Sequence, residues 1–272
     1  MIGADRLAGS DAVAVIPARD EAARLPRAVA SLRRAGVAVL VVANGCLDAT
    51  AAVARDAGAA VIERPALQGG VGEARRIGMA AILDRAPRAR IVMTTDADCT
   101  LGAGTMTALR RALIQADAVF GRVEPDPDEF AALPLHVRRH GILEDRHDAL
   151  LAEIEGIGAA LAWDPPRRHN QSPGALIAFR PGAYAATGGF VPLRCHEDRT
   201  MAETLVARGL RVARPWDAAV IASCRTTGRA AGGMADTIAR RAVSDLDPET
   251  TRLRDACAAL EGRRDALRAA AT

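Results

Sequence analysis

The feature that most constrains the fold is a regular alternation of short apolar runs with helical segments. The apolar runs are residues 13–16, 37–42, 60–63, 90–95 and 118–120. The segments between them are predicted as helices over 20–34, 51–57, 73–85 and 104–116, as Leu25, Val29 and Leu32 illustrate by their spacing. Apolar strands that alternate with helices are typical of a mostly parallel sheet covered on both faces. We therefore predict an α/β fold whose ligands bind at the carboxyl ends of the strands.

The second half of the chain has a less regular pattern. Residues 124–172 suggest short helical pieces, and the later elements are predicted as a strand over 174–180, a helix over 197–208, strands over 211–213 and 219–222, and a helix from Asp247 to the end. Asp247-Pro248-Glu249 is a typical helix start, with Asp as N-cap and Pro in the first turn. No internal repeat or linker divides the chain, so we predict one domain with a C-terminal helical extension.

Charge and cysteine content exclude several classes of protein. The net charge is only +3, and acidic residues are interleaved with the basic ones, which are all Arg. This balance argues against nucleic acid as a partner. The cysteines are odd in number and form no CxxC pair, so neither a disulfide framework nor a cysteine zinc site is expected. We expect a soluble, cytoplasmic protein without a secretory signal or a transmembrane segment, and leave a peripheral membrane contact open.

Two carboxylates follow the fourth apolar strand directly, as Asp96-Ala97-Asp98. If the chain turns there, both side chains can converge on one divalent ion. Hard oxygen ligands suit Mg²⁺ or Mn²⁺, and an ion held there could bridge a substrate diphosphate. The alternative is an exposed acidic pair that caps the following helix.

The order of five motif-like stretches adds a resemblance. The stretches are VAVIPARDEAARLPRAVASL (13–32), VLVVANGCLDATAAVARDAGA (39–59), GGVGEARRIGM (69–79), VMTTDADCT (92–100) and GALIAFRPGAYAATGGFVPLRCHEDRTMAETLVARGLRV (174–212). In this order the chain resembles the family 2 glycosyltransferases, which are nucleotide-sugar-dependent enzymes with the GT-A fold. The resemblance covers most of residues 13–222.

The resemblance implies a nucleotide-sugar pocket after the first strands. The implied residues are Pro17, Arg19, Glu21, Asn44, Asp48, Gly72, Arg75, Asp96 and Ala97. Arg75 matches a family position that approaches the base or the diphosphate. The chain departs from the family at Ala43, where an Asp often contacts uracil, and at Asn44, which replaces the second Asp. A uracil-specific reading is therefore in doubt.

The resemblance also implies the metal site and the catalytic base. Asp96 and Asp98 match the family's metal-binding D-x-D, for which Mg²⁺ or Mn²⁺ is expected. Glu197-Asp198 matches the E-D motif, in which Asp198 would be the base that activates the acceptor hydroxyl and leads to inversion. Both carboxylates lie at a predicted helix N-terminus, which favours their ionised form. Helix capping alone is the competing interpretation.

A glycine-rich and basic segment after the last strand, residues 223–236, could close on a diphosphate. Arg225 and Arg229 are its candidate phosphate contacts. Many related enzymes supply a further metal ligand, often His, from a comparable segment. No His follows His196, so that ligand is missing or differs. A flexible surface loop is the alternative.

Two histidine patterns are open to more than one interpretation. His136, His140 and Glu144 lie at helical spacing and could hold zinc, but a polar helix face is the more frequent reason for such a pattern. His169, together with Trp163, precedes the strand over 174–180 and could contact the acceptor or belong to the core.

The C-terminal helix carries an apolar repeat with a spacing of seven residues. Leu253, Leu260 and Leu267 form it, and they would pair with a second copy in a homodimer or pack on their own domain. We favour packing on the domain.

The sequence thus predicts one GT-A-like domain over 11–240, followed by a helical extension over 241–272. Residues 11–122 would form the nucleotide-sugar half and 123–240 the acceptor side. The predicted activity is metal-assisted, inverting transfer of a sugar from a UDP, GDP or dTDP sugar to an unknown hydroxyl acceptor. The alternatives are a sugar-nucleotide nucleotidyltransferase, whose usual G-x-G-x-R loop is absent, and a non-catalytic nucleotide-sugar-binding protein.

Overall fold

The structure is a computed structural model that describes residues 7–158, 161–228 and 232–270. The strands are β1 (Ala12–Ala18), β2 (Ala38–Asn44), β3 (Ala60–Arg64), β4 (Ile91–Thr95), β5 (Cys99–Leu101), β6 (Ala118–Phe120), β7 (Arg122–Pro125), β8 (Leu176–Phe179), β9 (Val212–Ala213) and β10 (Ala219–Ala222). The helices are α1 (Leu25–Arg34), α2 (Thr50–Asp56), α3 (Gly70–Arg85), α4 (Thr105–Ala112), α5 (Pro127–Ala132), α6 (Leu135–Gly158), α7 (Pro181–Thr187), α8 (Glu197–Ala207), α9 (Met234–Val243) and α10 (Asp247–Ala270).

The central sheet has seven strands in the order β3-β2-β1-β4-β8-β6-β9. All neighbouring pairs are parallel except the two that involve β8, which runs antiparallel to β4 and to β6. The carboxyl ends of β1, β2 and β4 therefore lie side by side at one edge. The predicted mostly parallel sheet flanked by helices is confirmed.

Alternate residues of β1 enter different cores. Ala14 and Ile16 belong to the apolar cluster under α1 and α4, whereas Val13 and Val15 belong to the cluster under α3 and α8. A strand that is covered on both faces needs apolar residues at every position, which explains its uninterrupted apolar run. Burial on both sides holds the strand ends, and with them the loops at the site, in fixed positions.

Pro17, predicted to end the first strand, lies inside it instead. The strand continues to Ala18, and Pro17 pairs with Val42 of β2. On its other side β1 pairs with β4 only as far as Val15. Pro17 thus lies where β1 has a single neighbour, and a strand tolerates proline there.

A second sheet of three strands, β5-β10-β7, adjoins the central one. It was not predicted as a sheet, because β5 and β7 are each only three or four residues long. β10 runs antiparallel to β5, which begins directly after Asp98, and parallel to β7. This pairing brings the segment that follows β10 next to the acidic pair.

The prediction of short helical pieces in 124–172 is wrong for Leu135–Gly158, about half of that range. A single helix, α6, extends over 24 residues. Its length is explained by its partner α10, which packs along it through Cys257 and an ion pair between Arg146 and Glu261 at 2.7 Å. Helix α10 therefore packs on α6 of the same chain, while the packing of Leu253, Leu260 and Leu267, which are half-buried, on their own domain stays a prediction.

The predicted division at residue 240 stays a prediction. Helix α9 runs across that position to Val243, and α10 begins at Asp247. None of the helices over the described ranges combines the length and the apolarity that crossing a bilayer requires.

Candidate active site

Two loops at the carboxyl edge of the sheet hold each other in place. The Asp20 carboxylate accepts a hydrogen bond from the Leu47 N–H at 2.6 Å, and the Asp48 carboxylate accepts one from the Ala22 N–H at 3.0 Å. Asp20 has a φ of 52°, a left-handed conformation that Asp tolerates better than most residues. These reciprocal bonds make the loops after β1 and β2 one structural element.

Asn44 and Asp48, both predicted to contact nucleotide, have structural partners in this arrangement. The Asn44 Oδ1 atom accepts a hydrogen bond from the Leu67 N–H at 2.8 Å, which fixes the loop after β3. Asp48 also accepts from the N–H of Thr50 at 2.9 Å, at the start of α2. Arg19 is exposed on the loop between β1 and α1. Of Asn44, Asp48 and Arg19, only Arg19 has no hydrogen-bond partner among the described residues.

The Asp96 and Asp98 carboxylates converge as predicted. One oxygen of each and the Cys99 sulfur lie within 4.8 Å of one another. Ala97, which separates the two aspartates in the sequence, is buried. Burial raises the pKa of Asp98 to about 6, the negative charge of Asp96 acts in the same direction, and the guanidinium of Arg225 opposes both. Two carboxylates forced together in a partly buried place are stabilised by a cation.

The donor set fits a hard divalent cation. Asp96 and Asp98 offer oxygen atoms, which Mg²⁺ and Mn²⁺ prefer. Cys99 is buried, and burial raises the pKa of its thiol well above the usual value, so the thiol keeps its proton. The pair can therefore contribute two carboxylate ligands, with the remaining positions left to substrate and water.

Arg75 lies at the centre of the site and is almost completely buried. Its Nη2 atom donates a hydrogen bond to Asp96 at 2.6 Å, and its Nη1 atom forms an ion pair with Glu197 at 2.7 Å without hydrogen-bond geometry. The guanidinium also lies 5.8 Å from the centroid of the Phe190 ring. A Cβ on Gly174 would come within 2.3 Å of Nη1, so a larger residue there would displace the guanidinium.

This burial changes the role expected of Arg75. Its guanidinium joins the loop after β4 to the start of α8 and lies beneath Gly174, away from solvent. The predicted contact with base or diphosphate stays a prediction, and the described contacts are those of a positioning residue. The sequence did not indicate this role, because nothing in it shows that Glu197 comes to lie opposite Arg75.

Asp198 lies in the first turn of α8, partly exposed and next to the buried Glu197. Its Oδ2 atom accepts a hydrogen bond from the Gly174 N–H at 2.7 Å, and its Oδ1 atom accepts one from the Arg199 N–H at 2.8 Å. Burial raises the pKa of Glu197, an effect that the charge of Arg75 opposes. Asp198 is thus an oriented carboxylate that can still reach solvent.

Arg225, in the segment after β10, completes the site. Its guanidinium donates to both Glu21 oxygens, at 2.6 and 2.9 Å, and its Nη2 atom lies 2.9 Å from Asp98 Oδ2. The predicted Arg229 lies outside the described residues. Glu129, which sequence analysis did not single out, anchors this segment by accepting hydrogen bonds from Ser223 Oγ at 2.6 Å and from the Cys224 N–H at 2.7 Å.

The glycine-rich first turn of α3 serves close packing. A Cβ on Gly72 would lie 2.3 Å from the Val191 carbonyl oxygen, and the Gly72 N–H donates to the Leu193 carbonyl at 2.9 Å. Gly69 is packed just as closely against Pro192. Gly72 is therefore covered by backbone, and its predicted contact with nucleotide stays a prediction.

The histidines of α6 connect helices. The His136 Nε2 atom hydrogen-bonds the Arg241 carbonyl at 3.0 Å, and the His140 Nδ1 atom hydrogen-bonds Thr250 Oγ1 at 3.0 Å. Glu144 forms a bidentate ion pair with Arg241. These contacts join α6 to α9 and α10 and match the polar-face interpretation. Among the described residues, no group that could hold a metal includes a histidine.

His169 is buried and fixed as a neutral ring. Its Nε2 atom bonds the Phe120 carbonyl at 3.1 Å, and its Nδ1 atom accepts from the Gln171 N–H at 3.1 Å. Burial lowers the pKa of His169 to about 3, and the charge of Arg214 acts in the same direction. Of the two interpretations open for His169, the structure favours the core.

Because of His169, we expect the free energy of unfolding to decrease as the pH is lowered. Its native pKa lies below the unfolded value, so its contribution is complete above about pH 6.5 and is lost as the pH falls toward 3. Between pH 7 and 5 the loss is about 2 kcal/mol. Urea unfolding of the wild type and His169→Asn checks this, because the difference between them must shrink as the pH falls. Parallel pH curves would contradict the assignment.

The structure brings the principal predicted groups to one place. Arg225 connects Glu21 with Asp98, and Arg75 connects Asp96 with Glu197, whose neighbour is Asp198. Asn44 and Gly72 lie at the same edge, but both form hydrogen bonds with backbone groups of this chain. What results is an acidic pair and an oriented carboxylate held around two arginines.

Solved structures from S. aureus and Mycobacterium tuberculosis share this fold. The crystal structure of S. aureus TarS 1–349 in complex with UDP-GlcNAc is 13% identical, with a TM-score of 0.56, over 94% of this chain and 69% of that chain. Glucosyl-3-phosphoglycerate synthase from Mycobacterium tuberculosis, in complex with Mn²⁺, UDP and phosphoglyceric acid, is 18% identical, with a TM-score of 0.52, over 89% and 82%. The crystal structure of S. aureus TarS is 13% identical, with a TM-score of 0.54, over 78% of this chain and only 36% of that chain. At such identities the likeness shows the fold alone.

The family is shown by sequence. No curated protein matches the chain. The sequence profile described as Glycosyl transferase family 2 matches residues 13–187, well over half of the chain, and includes the acidic pair and Arg75. The match ends before Asp198 and Arg225, whose places in the site come from the structure. The chain belongs to glycosyl transferase family 2.

Proposed function

We propose that the chain transfers a sugar from a nucleoside-diphosphate sugar to a hydroxyl group of an acceptor, with inversion at the anomeric carbon. The observation that carries the proposal is the joining of Asp96 to the Glu197-Asp198 turn through the buried Arg75. It brings the acidic pair and the candidate base to one site, which supports the proposal. Sugar transfer needs these two functions together, because the leaving group and the nucleophile react in the same step.

Asp96 and Asp98 would hold the cation on the donor side. A bound Mg²⁺ or Mn²⁺ would neutralise the negative charge that develops on the departing diphosphate. Arg225, fixed to Glu21 beside the pair, adds a positive charge at the same place. The end of β1, with Pro17, and the loops after β1 and β2, which carry Arg19 and the segment around Asp48, would form the nucleotide pocket.

Asp198 would act as the general base. Its two oxygens are held by the N–H groups of Gly174 and Arg199, so the carboxylate presents its remaining lone pairs in a fixed direction. It takes the proton of the acceptor hydroxyl as that oxygen forms its bond to the anomeric carbon. The bond from that carbon to the diphosphate breaks on the opposite face, which inverts the configuration. Glu197, buried on Arg75, is a positioning residue in this scheme.

This placement suggests which parts of the chain bind the donor and which bind the acceptor. We assign residues 11–122 to the donor, residues 123–240 to the acceptor and residues 241–272 to an extension whose helix α10 packs on α6. A UDP sugar is the first donor to test, because UDP or UDP-GlcNAc is bound in the similar structures.

All five cysteines are free thiols, which supports a reducing compartment such as the cytoplasm.

A thermal-shift screen with UDP, GDP and dTDP sugars, with and without Mn²⁺, tests the donor side. We expect at least one donor to raise the melting temperature only with Mn²⁺, and we expect Asp98→Asn to abolish that shift, because the substitution removes a ligand charge. A ligand at a hundred times its Kd stabilises by about 2.7 kcal/mol, which is easily measured. Asp126→Asn, which removes a carboxylate outside the pair, is the control. A shift that persists in Asp98→Asn would overturn the metal assignment.

Product analysis separates the alternative activities. Release of the nucleoside diphosphate from the donor, by transfer or by slow hydrolysis, supports the proposal. Release of pyrophosphate from a nucleoside triphosphate would identify a nucleotidyltransferase instead. Donor binding with neither product would identify a binding protein.

A further inference from the structure

Arg225 already sits where a cation would be bound. Its Nη2 atom is 2.9 Å from Asp98 Oδ2, one of the carboxylates of the acidic pair, and its side chain is only 15% exposed. The same guanidinium binds both oxygens of Glu21, which is itself buried. An ion on Asp96 and Asp98 would lie next to this positive charge, and like charges at such a separation repel.

The backbone that carries Arg225 is held independently of its side chain. The Ser223 N–H donates to the Asp98 carbonyl at 3.3 Å, and Glu129 binds both Ser223 and the Cys224 N–H. The guanidinium can therefore leave Asp98 by turning about its own side-chain bonds. Glu21 would keep it within the site as it turns.

One atom of the guanidinium indicates that its position changes when a ligand binds. The Nε–H of Arg225 is buried and has no hydrogen-bond partner among residues 7–158, 161–228 and 232–270. A buried donor without a partner is unfavourable, and it gains a bond if an anion with several oxygens enters beside it. A diphosphate is such an anion, and an arginine can bind it through two nitrogens at once.

We propose that Arg225 is a resident counter-ion of the acidic pair, which a divalent cation must displace from Asp98, and that the displaced guanidinium then binds the donor diphosphate. The inference rests on the proposed function, because it presupposes a nucleoside-diphosphate donor and a cation on Asp96 and Asp98. It predicts opposite effects of one residue on two ligands. Arg225 weakens the binding of the metal alone and strengthens the binding of nucleotide with metal.

Calorimetric titration of the full chain with MnCl₂, without nucleotide, tests the first effect. We expect Arg225→Gln to bind Mn²⁺ about tenfold more tightly than the wild type, since one neighbouring charge shifts a carboxylate's affinity for a cation by about that factor or more. Arg225→Lys keeps a charge but cannot bridge Glu21 and Asp98. Its affinity for Mn²⁺ should therefore lie between those of the wild type and Arg225→Gln. Arg24→Gln is the control, because Arg24 lines a cavity beside Asp98 but pairs with Glu129. It removes the same charge and should change the affinity less than threefold.

Titration with UDP at saturating Mn²⁺ tests the second effect. We expect Arg225→Gln to bind UDP about tenfold more weakly than the wild type, in line with the loss of a charge-assisted contact. Equal or weaker Mn²⁺ binding in both Arg225 variants would overturn the inference, as would UDP binding that does not depend on Arg225. If the wild type binds Mn²⁺ but neither UDP nor any other nucleoside diphosphate, the proposed function itself fails, which is a separate result.

Discussion

Replacing Asp198 with Asn is expected to lower the turnover of the donor by 10²- to 10⁴-fold, the usual contribution of a general base. Asn keeps the shape of the side chain and an oxygen that can accept the Gly174 N–H, which lies 2.7 Å from the carboxylate. It cannot take the proton of the acceptor. The measurement is the rate at which nucleoside diphosphate is released from the donor identified by the thermal-shift screen.

The loss should appear in kcat and leave donor binding within about threefold, because a base acts on the acceptor and not on the diphosphate. Glu203→Gln is the matched control, since Glu203 is an exposed carboxylate on the same helix, α8. A variant Asp198→Asn that binds donor and keeps the full rate would show that another group is the base.

Replacing Arg75 with Met is expected to reduce the free energy of unfolding by about 3–5 kcal/mol, since breaking a buried ion pair leaves its partner charge uncompensated. The partners here are Asp96 and the buried Glu197. Urea denaturation measures the effect. Arg76→Met, at the exposed next position of α3, should change stability by less than about 0.5 kcal/mol.

A double-mutant cycle identifies the cause of the Arg75 effect. Adding Glu197→Gln to Arg75→Met removes the buried charge that has lost its partner, so the double variant should be more stable than Arg75→Met alone. If the two substitutions are additive, the loss comes from packing against Phe190 and not from charge. If Arg75→Met is no less stable than Arg76→Met, the positioning role is refuted.

Much of the fold could be predicted because the strands of the central sheet are covered on both faces. Apart from Asn44 at the end of β2, β2 and β4 contain only residues that suit a buried strand, so their positions are visible in the sequence alone. β8 was placed as a strand, but its antiparallel direction was not visible, since direction depends on how the chain returns to the sheet. The full length of helix α6 was missed, because its stability depends on α10, more than a hundred residues later.

The candidate site was predictable where neighbours in sequence act together. Asp96 and Asp98 follow a buried strand, and that context alone suggested their convergence. The partners of the two arginines could not be predicted. Arg225 and Glu21 are 204 positions apart, and only the pairing of β10 with β5 brings them into contact. The burial of Arg75 likewise depends on Gly174 and Phe190, which approach it from elsewhere in the chain.

The insertion of β8 between β4 and β6 has a consequence for biosynthesis. While only the first 122 residues have left the ribosome, β4 and β6 have no strand between them, and their unpaired edges can recruit other chains. The sheet closes only when residues 176–179 arrive. A nascent chain that stalls before that point is therefore exposed to aggregation, and the two halves assigned to donor and acceptor must mature as a single cooperative body.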